Sequence, residues 1–159
     1  MKTITPCLWF DDRAEEAAAF YVAIFPNSHV GEVTRYLADS PGGKSAGDVM
    51  TVDFVLDGQE FTGLNGGPMF TFDEAISFQV PCADQAEVDR YWAALSDGGK
   101  EGPCGWVTDR FGVSWQVVPR TWADFVRTAE PERAQRAFAA LMQMTKIDIA
   151  ALERAAAGD

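Results

Sequence analysis

The chain has 159 residues, 47% of them apolar and 23% charged, with a formal net charge of −11. That length suits one domain or two small fused modules, and an acidic surface without a Lys/Arg cluster disfavours a nucleic-acid partner. No run of about 18 apolar residues is present to cross a membrane, Met1 to Pro6 lacks the apolar stretch of a leader, and a cytoplasmic protein is expected.

The first strand is expected over Ile4 to Phe10. Asp12 reads as a helix N-cap with Glu15 at the capping-box position. Ala14, Ala17, Ala18, Tyr21 and Phe25 then fall near one helical face, and Pro26-Asn27-Ser28 stops the helix. His29 to Leu37 reads as a strand, and Ala38 to Gly47 as a loop. Val49 to Leu56 and Gln59 to Asn65 read as a hairpin about the turn Asp57-Gly58. Gly66-Gly67-Pro68 opens a linker that lasts to about Glu74.

The cycle then restarts. Ile76 to Cys82 reads as a strand. Asp84, with Glu87 three residues on, caps a helix to about Asp97 that buries Val88, Trp92 and Leu95, and Gly98-Gly99 ends it. The two starts align at an offset of 72 residues: Ile4 with Ile76, Thr5 with Ser77, Leu8 with Val80, and Asp12-Arg13-Ala14-Glu15 with Asp84-Gln85-Ala86-Glu87. This is internal-repeat evidence.

Cys104 to Pro119 reads as strand, turn, strand. Asp109 to Gly112 has turn chemistry. Val113, Trp115 and Val117 alternate with Ser114, Gln116 and Val118, and Pro119 ends the strand. Trp115 and Gln116 therefore point to opposite faces. The tail is helical. Thr121 and Asp124 pair as a capping box, Pro131 suits a first helical turn, and Asp148 caps a last helix. Ala134, Phe138, Leu141 and Met142 form an apolar stripe that covers either its own chain or a second copy.

Cys104-Gly105-Trp106, Asp109, Phe111-Gly112, Trp115-Gln116 and Pro119 carry a resemblance. So do Thr5-Pro6-Cys7-Leu8-Trp9-Phe10, Glu16-Ala17, Phe20-Tyr21 and Met144-Thr145-Lys146-Ile147-Asp148-Ile149. The chain resembles the PhnB-like branch of the glyoxalase/bleomycin-resistance/dioxygenase (vicinal oxygen chelate) superfamily, often labelled "3-demethylubiquinone-9 3-methyltransferase-like". The resemblance implies an α+β fold of two βαβββ modules whose strands form a curved mixed sheet, and a homodimer. One such domain would span residues 1–120, with modules at about 1–67 and 75–120. A helical C-terminal extension would span 121–159.

Metal-dependent members of the superfamily place His, Glu or Gln ligands at four equivalent strand positions. Through the repeat these map to Thr5, Thr62, Ser77 and Gln116. Hydroxyls and one amide give a divalent ion little to offset its dehydration, so no metal is expected. The single histidine, His29, lies outside the mapped positions and reads as an ordinary strand residue. Asp53 and Glu60 are the carboxylates that a mis-mapped metal would use. The methyltransferase label would need a doubly wound sheet with a Gly-rich turn. Neither helix start has one, and no cofactor is expected.

Three cysteines without CxxC spacing, Cys7, Cys82 and Cys104, read as reduced thiols. Cys104 has no His or Lys beside it to lower its pKa, and reads as structural. Asp109 reads as a turn residue. The expected ligand-binding residues are Thr5, Trp9, Thr62, Ser77, Trp106 and Gln116, polar anchors among aromatic walls. The first functional reading is a metal-independent small-molecule-binding protein. The alternatives are a metal-dependent lyase, isomerase or dioxygenase, and a dimeric scaffold with no ligand.

Overall fold

The computed structural model describes residues 4–159, in two compact units, Met1–Phe72 and Asp73–Asp159. Residues 1–3, where the reading of the N-terminus begins, lie outside the described residues. The fold is α+β, with a four-stranded mixed sheet in each unit.

The first unit runs β1 (Cys7–Phe10), α1 (Ala14–Ile24), β2 (His29–Arg35), β3 (Val49–Leu56) and β4 (Gln59–Asn65). The strand order is β1-β4-β3-β2, with β1 parallel to β4 and the other pairs antiparallel. Alternation decides which face is buried. Leu8, Phe10, Val52, Phe54, Leu56 and Phe61 are buried on one side, as are Ala14, Ala17, Ala18 and Tyr21 of α1. Each large side chain so buried contributes roughly 1.5–3 kcal/mol. At the β3–β4 turn Asp57 and Gly58 have φ of 46° and 82°. Both are positive, as a tight two-residue hairpin requires.

Two local expectations shift. β1 starts at Cys7 rather than Ile4, and Thr5 is exposed outside it. Pro6 has no N–H to give the ladder, and its carbonyl accepts from the Thr62 N–H at 3.0 Å. Asp12 does not cap α1. Arg13 occupies the N-cap position without a side-chain bond, and the Ala14 N–H donates instead to Asn65 Oδ1, 2.8 Å away and 51 residues on.

The second unit repeats the plan with β5 (Phe78–Cys82), α2 (Gln85–Ser96), β6 (Lys100–Glu101), β7 (Trp106–Thr108) and β8 (Ser114–Pro119), ordered β5-β8-β7-β6. Val80, Cys82, Val107, Trp115 and Val117 are buried, as are Val88, Tyr91, Trp92 and Leu95 of α2. Asp84 caps α2 as expected: its Oδ1 accepts from the Glu87 N–H at 2.9 Å, and Glu87 Oε2 accepts from the Ala83 N–H at 2.7 Å.

Three helices follow, α3 (Trp122–Thr128), α4 (Pro131–Leu141) and α5 (Ile149–Ala157). Asp148 caps α5 through the Ala151 N–H at 2.9 Å, whereas Thr121 makes no side-chain cap on α3. Leu141, Ile147 and Leu152 form a buried cluster with Cys104, Val118 and Trp122 packed on it. The Cys104 and Gly105 N–H groups donate to the carbonyls of Met144 and Thr145, each at 2.8 Å. A Cβ at Gly105 would lie 2.6 Å from the Val117 carbonyl oxygen and 2.9 Å from Ile147 Cδ1. Only glycine admits the tail this closely. The tail thus packs on its own chain. Its stripe is rotated from the expected one: α4 buries Ala137 and Leu141 and leaves Phe138 and Met142 exposed, because the i, i+4 pair Ala137/Leu141 meets α5.

Candidate functional site

In the first unit, the sheet face away from α1 is built by register. Cys7 on β1 pairs with Thr62 on β4, which pairs with Asp53 on β3. Directly paired residues share a face, so the three stand in one row. Thr62 Oγ1 donates to Asp53 Oδ1 at 2.8 Å. The Cys7 thiol is exposed, yet partial cover of its sulfur, and after that the Asp53 charge, hold its pKa above the ordinary 9.0. The neighbouring row is His29, Val55 and Glu60. Thr5 does not join either row. Cys7, two residues on, takes the place expected for it.

Trp9 shares this face but is already engaged. Its Nε1–H donates to the Gly67 carbonyl at 2.8 Å, and its ring meets Phe70 edge-on at 5.0 Å. A Cβ on Gly66 would sit 2.3 Å from that ring.

In the second unit, Gln79 on β5 pairs with Gln116 on β8, which pairs with Trp106 on β7. Ser77, just before β5, has the same parity. Gln116 Nε2 donates to Ser77 Oγ at 2.8 Å. Three expected site residues, Ser77, Trp106 and Gln116, therefore come together on one face. The next row holds Lys100 on β6, Thr108 on β7 and Ser114 on β8. The Ser114 hydroxyl is buried, the residue being 2% exposed, with no hydrogen-bond partner among the described residues. A cavity of about 360 Å³ is lined by Glu74, Lys100, Glu101, Gly102, Pro103, Trp106 and Thr108. Sequence reading missed Lys100, Thr108 and Ser114. The alternation that turns Gln116 away from α2 also turns Ser114, but only the register brings Thr108 and Lys100 beside it.

The Asp109 carboxylate is engaged within its own hairpin. Asp109, 3% exposed, accepts from the Phe111 N–H at 2.8 Å, the Val113 N–H at 3.0 Å and Trp115 Nε1 at 2.8 Å. Its carboxylate holds the turn and the core tryptophan together. Cys82 is buried against α2; burial first, then Glu87, push its thiol up to about 11. Cys104 is half-buried, its sulfur 3.7 Å from Met142 Sδ. His29 is exposed on β2.

Among the described residues, no group of three or more His, Cys, Asp or Glu gathers to hold a metal ion. The rows Cys7–Thr62–Asp53 and Gln79–Gln116–Trp106 offer one carboxylate and one thiol in the first unit and two neutral amides in the second. This donor set does not fit a hard or borderline divalent ion. No helix among the described residues is long and apolar enough to cross a membrane.

A family profile described as 3-demethylubiquinone-9 3-methyltransferase matches residues 2–118. The chain belongs to this family. It is 33% identical to the PhnB protein from Bacillus cereus over 74% of this chain and 98% of that one, with a TM-score of 0.63. Protein PA1353 from Pseudomonas aeruginosa is 24% identical over 75% of this chain and 97% of that one, at a TM-score of 0.59. The fosfomycin resistance protein FosX from Listeria monocytogenes, complexed with Mn(II) and sulfate, is 15% identical over 81% of this chain and 98% of that one, at a TM-score of 0.54. PhnB and FosX belong to the vicinal oxygen chelate superfamily, and the FosX likeness is one of fold alone. A search of curated proteins finds no match. Among the described residues there is no doubly wound sheet with a Gly-rich turn of the kind the common S-adenosylmethionine-binding fold uses. Both sheets are mixed rather than doubly wound, and Asp11-Asp12-Arg13 and Ala83-Asp84, which lead into α1 and α2, contain no glycine.

Proposed function

We propose that this chain binds a small molecule on the sheet faces away from α1 and α2, without a metal ion. The observation that carries this reading is the neutral donor set at Thr62, Ser77 and Gln116, with Gln116 already hydrogen-bonded to Ser77. Hydroxyls and amides recognise polar groups but supply no strong acid or base at neutral pH. Trp106 beside Gln116 adds an apolar wall of the kind that ligand sites use. On this reading no S-adenosylmethionine is bound, the protein works as a cytoplasmic homodimer, and neither nucleic acid nor membrane is a partner; the net charge of −11 supports the exclusion of nucleic acid.

Native mass spectrometry of protein purified without chelator tests the reading. The expected spectrum shows the polypeptide dimer free of stoichiometric metal and unchanged by chelation. One divalent ion per chain, lost to chelator, would overturn it and direct attention to Cys7, Asp53 and Glu60.

A further inference from the structure

The C-terminal helices surround a hollow that packing leaves open. Trp122 and Phe125, three residues apart, share one face of α3, their rings inclined by 29° with centroids 5.8 Å apart. Neither ring enters a core, for α3 buries none of its residues. α4 packs along α5, while α3 packs closely on neither. A cavity of about 200 Å³ remains, lined by Trp122 and Phe125 on α3 and by Ile149, Leu152 and Ala156 on α5. Leu152 and Ala156 are buried, so its α5 wall lies below the surface. An apolar cavity of about 150 Å³ stays dry and takes up benzene, so this one has room for one or two fused rings. Two charged groups stand on the lining with opposite signs. The Arg133 guanidinium lies 5.6 Å from the Phe125 ring centroid, where that ring's own face attracts it. Glu153 makes no ion pair among the described residues. An anion would meet Glu153 and a cation would meet Arg133, so neither sign of charge is favoured. Both groups are exposed and screened by water, which leaves apolar area and ring contact to decide what binds.

We propose that this hollow is a second binding site, for a neutral aromatic molecule of one or two fused rings, held by Trp122 and Phe125 against Leu152 and Ala156. None of Thr5, Trp9, Thr62, Ser77, Trp106 and Gln116 lines it. The site therefore goes beyond the proposed function and can fail without it.

Indole is the probe, titrated into the full chain and followed by the protein's amide and tryptophan side-chain NMR signals. It should saturate with a dissociation constant on the order of 1 mM, shifting Trp122, Ile149, Leu152 and Ala156. Benzoate and benzylammonium, charged aromatics of similar size, should bind roughly tenfold more weakly. Phe125→Ala removes one wall and should weaken indole roughly tenfold. Its Tm should hardly move, because α3 buries nothing. Ala156→Leu should fill the space, abolish indole binding and keep or raise Tm; should overpacking unfold it, Phe125→Ala still decides. No saturable shift at these four residues, equal binding of the charged aromatics, or indole binding indifferent to Phe125→Ala would each overturn the proposal. Shifts confined to Thr62, Trp106 and Gln116 would overturn this site and support the sheet-face reading instead.

Discussion

The two units place different chemistry on the same scaffold positions. Asp53 opposite Thr62 in the first corresponds to Trp106 opposite Gln116 in the second. The row His29–Val55–Glu60 corresponds to Lys100–Thr108–Ser114. One face thus carries Asp53, Glu60 and an exposed thiol, and the other a lysine, hydroxyls and amides. The inward positions do not diverge in this way. Leu8 and Phe10 answer to Val80 and Cys82, all buried and apolar. Inward residues answer to one packing requirement, while outward ones are free to specialise, and that is why a shared fold tells so little about function.

The largest test of this comparison lies in the two hairpins. Asp57 makes one exposed side-chain bond, to Asn27 at 3.2 Å, whereas Asp109 is buried and satisfies three donors. Asp109→Ala should cost about 3–5 kcal/mol, since it strands buried donors that each cost roughly 1–3 kcal/mol. Asp57→Ala should cost ~1 kcal/mol at most. Urea denaturation measures both, and comparable losses would erase the distinction.

The second unit also carries a helical tail, for which the first unit has no counterpart among its own described residues. Its tail sets Ile147 against Gly105 and packs the buried cluster on Val118 of β8. Ile147→Ala should cost about 2–4 kcal/mol through the cavity it leaves. NMR shifts should concentrate around Cys104, Gly105 and Val118 and spare Thr62 and Asp53. Perturbation as strong in the first unit as in the second would break the picture of a tail serving its own unit.

Next in size are the helix caps. Asp84 caps α2 from the adjoining residue, while Asn65 serves α1 from 51 residues away and also donates to the Val49 carbonyl at 3.3 Å. Asp84→Ala should cost ~1 kcal/mol, the usual value of a local cap. Asn65→Ala should cost about 2 kcal/mol, because a buried N–H loses its acceptor. Equal costs would show that Asn65 does no more than a local cap.

The same pair shows what was legible beforehand. Asp84 with Glu87, Asp57-Gly58 and Asp109 before Gly112 were readable because their bonds close within a few residues. The meeting of Ser77 and Gln116 was readable only through the family resemblance, whose ligand positions map onto both. Asn65 over Ala14, Trp9 against Gly67, and Lys100 beside Thr108 and Ser114 were not, since each depends on which residues the register brings opposite one another. Thr5 was misplaced for a related reason, because Pro6 delays the ladder to Cys7. The rotated stripe of α4 follows from its contact with α5, which periodicity alone cannot orient.

The smallest effect separates the thiols Cys7 and Cys82, which sit at opposite ends of equivalent strands. Both have pKa values raised above 9.0: Cys82 to about 11 by burial and then Glu87, Cys7 by partial cover and then Asp53. A raised thiol pKa favours the neutral form in the folded state. Its stabilising contribution is therefore complete below pH 9 and, for Cys82, disappears as pH climbs from 9 to about 11. Stability measured over that range should fall, and Cys82→Ala should flatten the fall. Thiolate is the reacting form, so iodoacetamide at pH 8 should label exposed Cys7 more slowly than free cysteine and spare Cys82 until the chain unfolds. Labelling of Cys82 as fast as Cys7 in the folded protein would mean that α2 does not seal the second sheet, and the contrast between an open first face and a closed second core would fail with it.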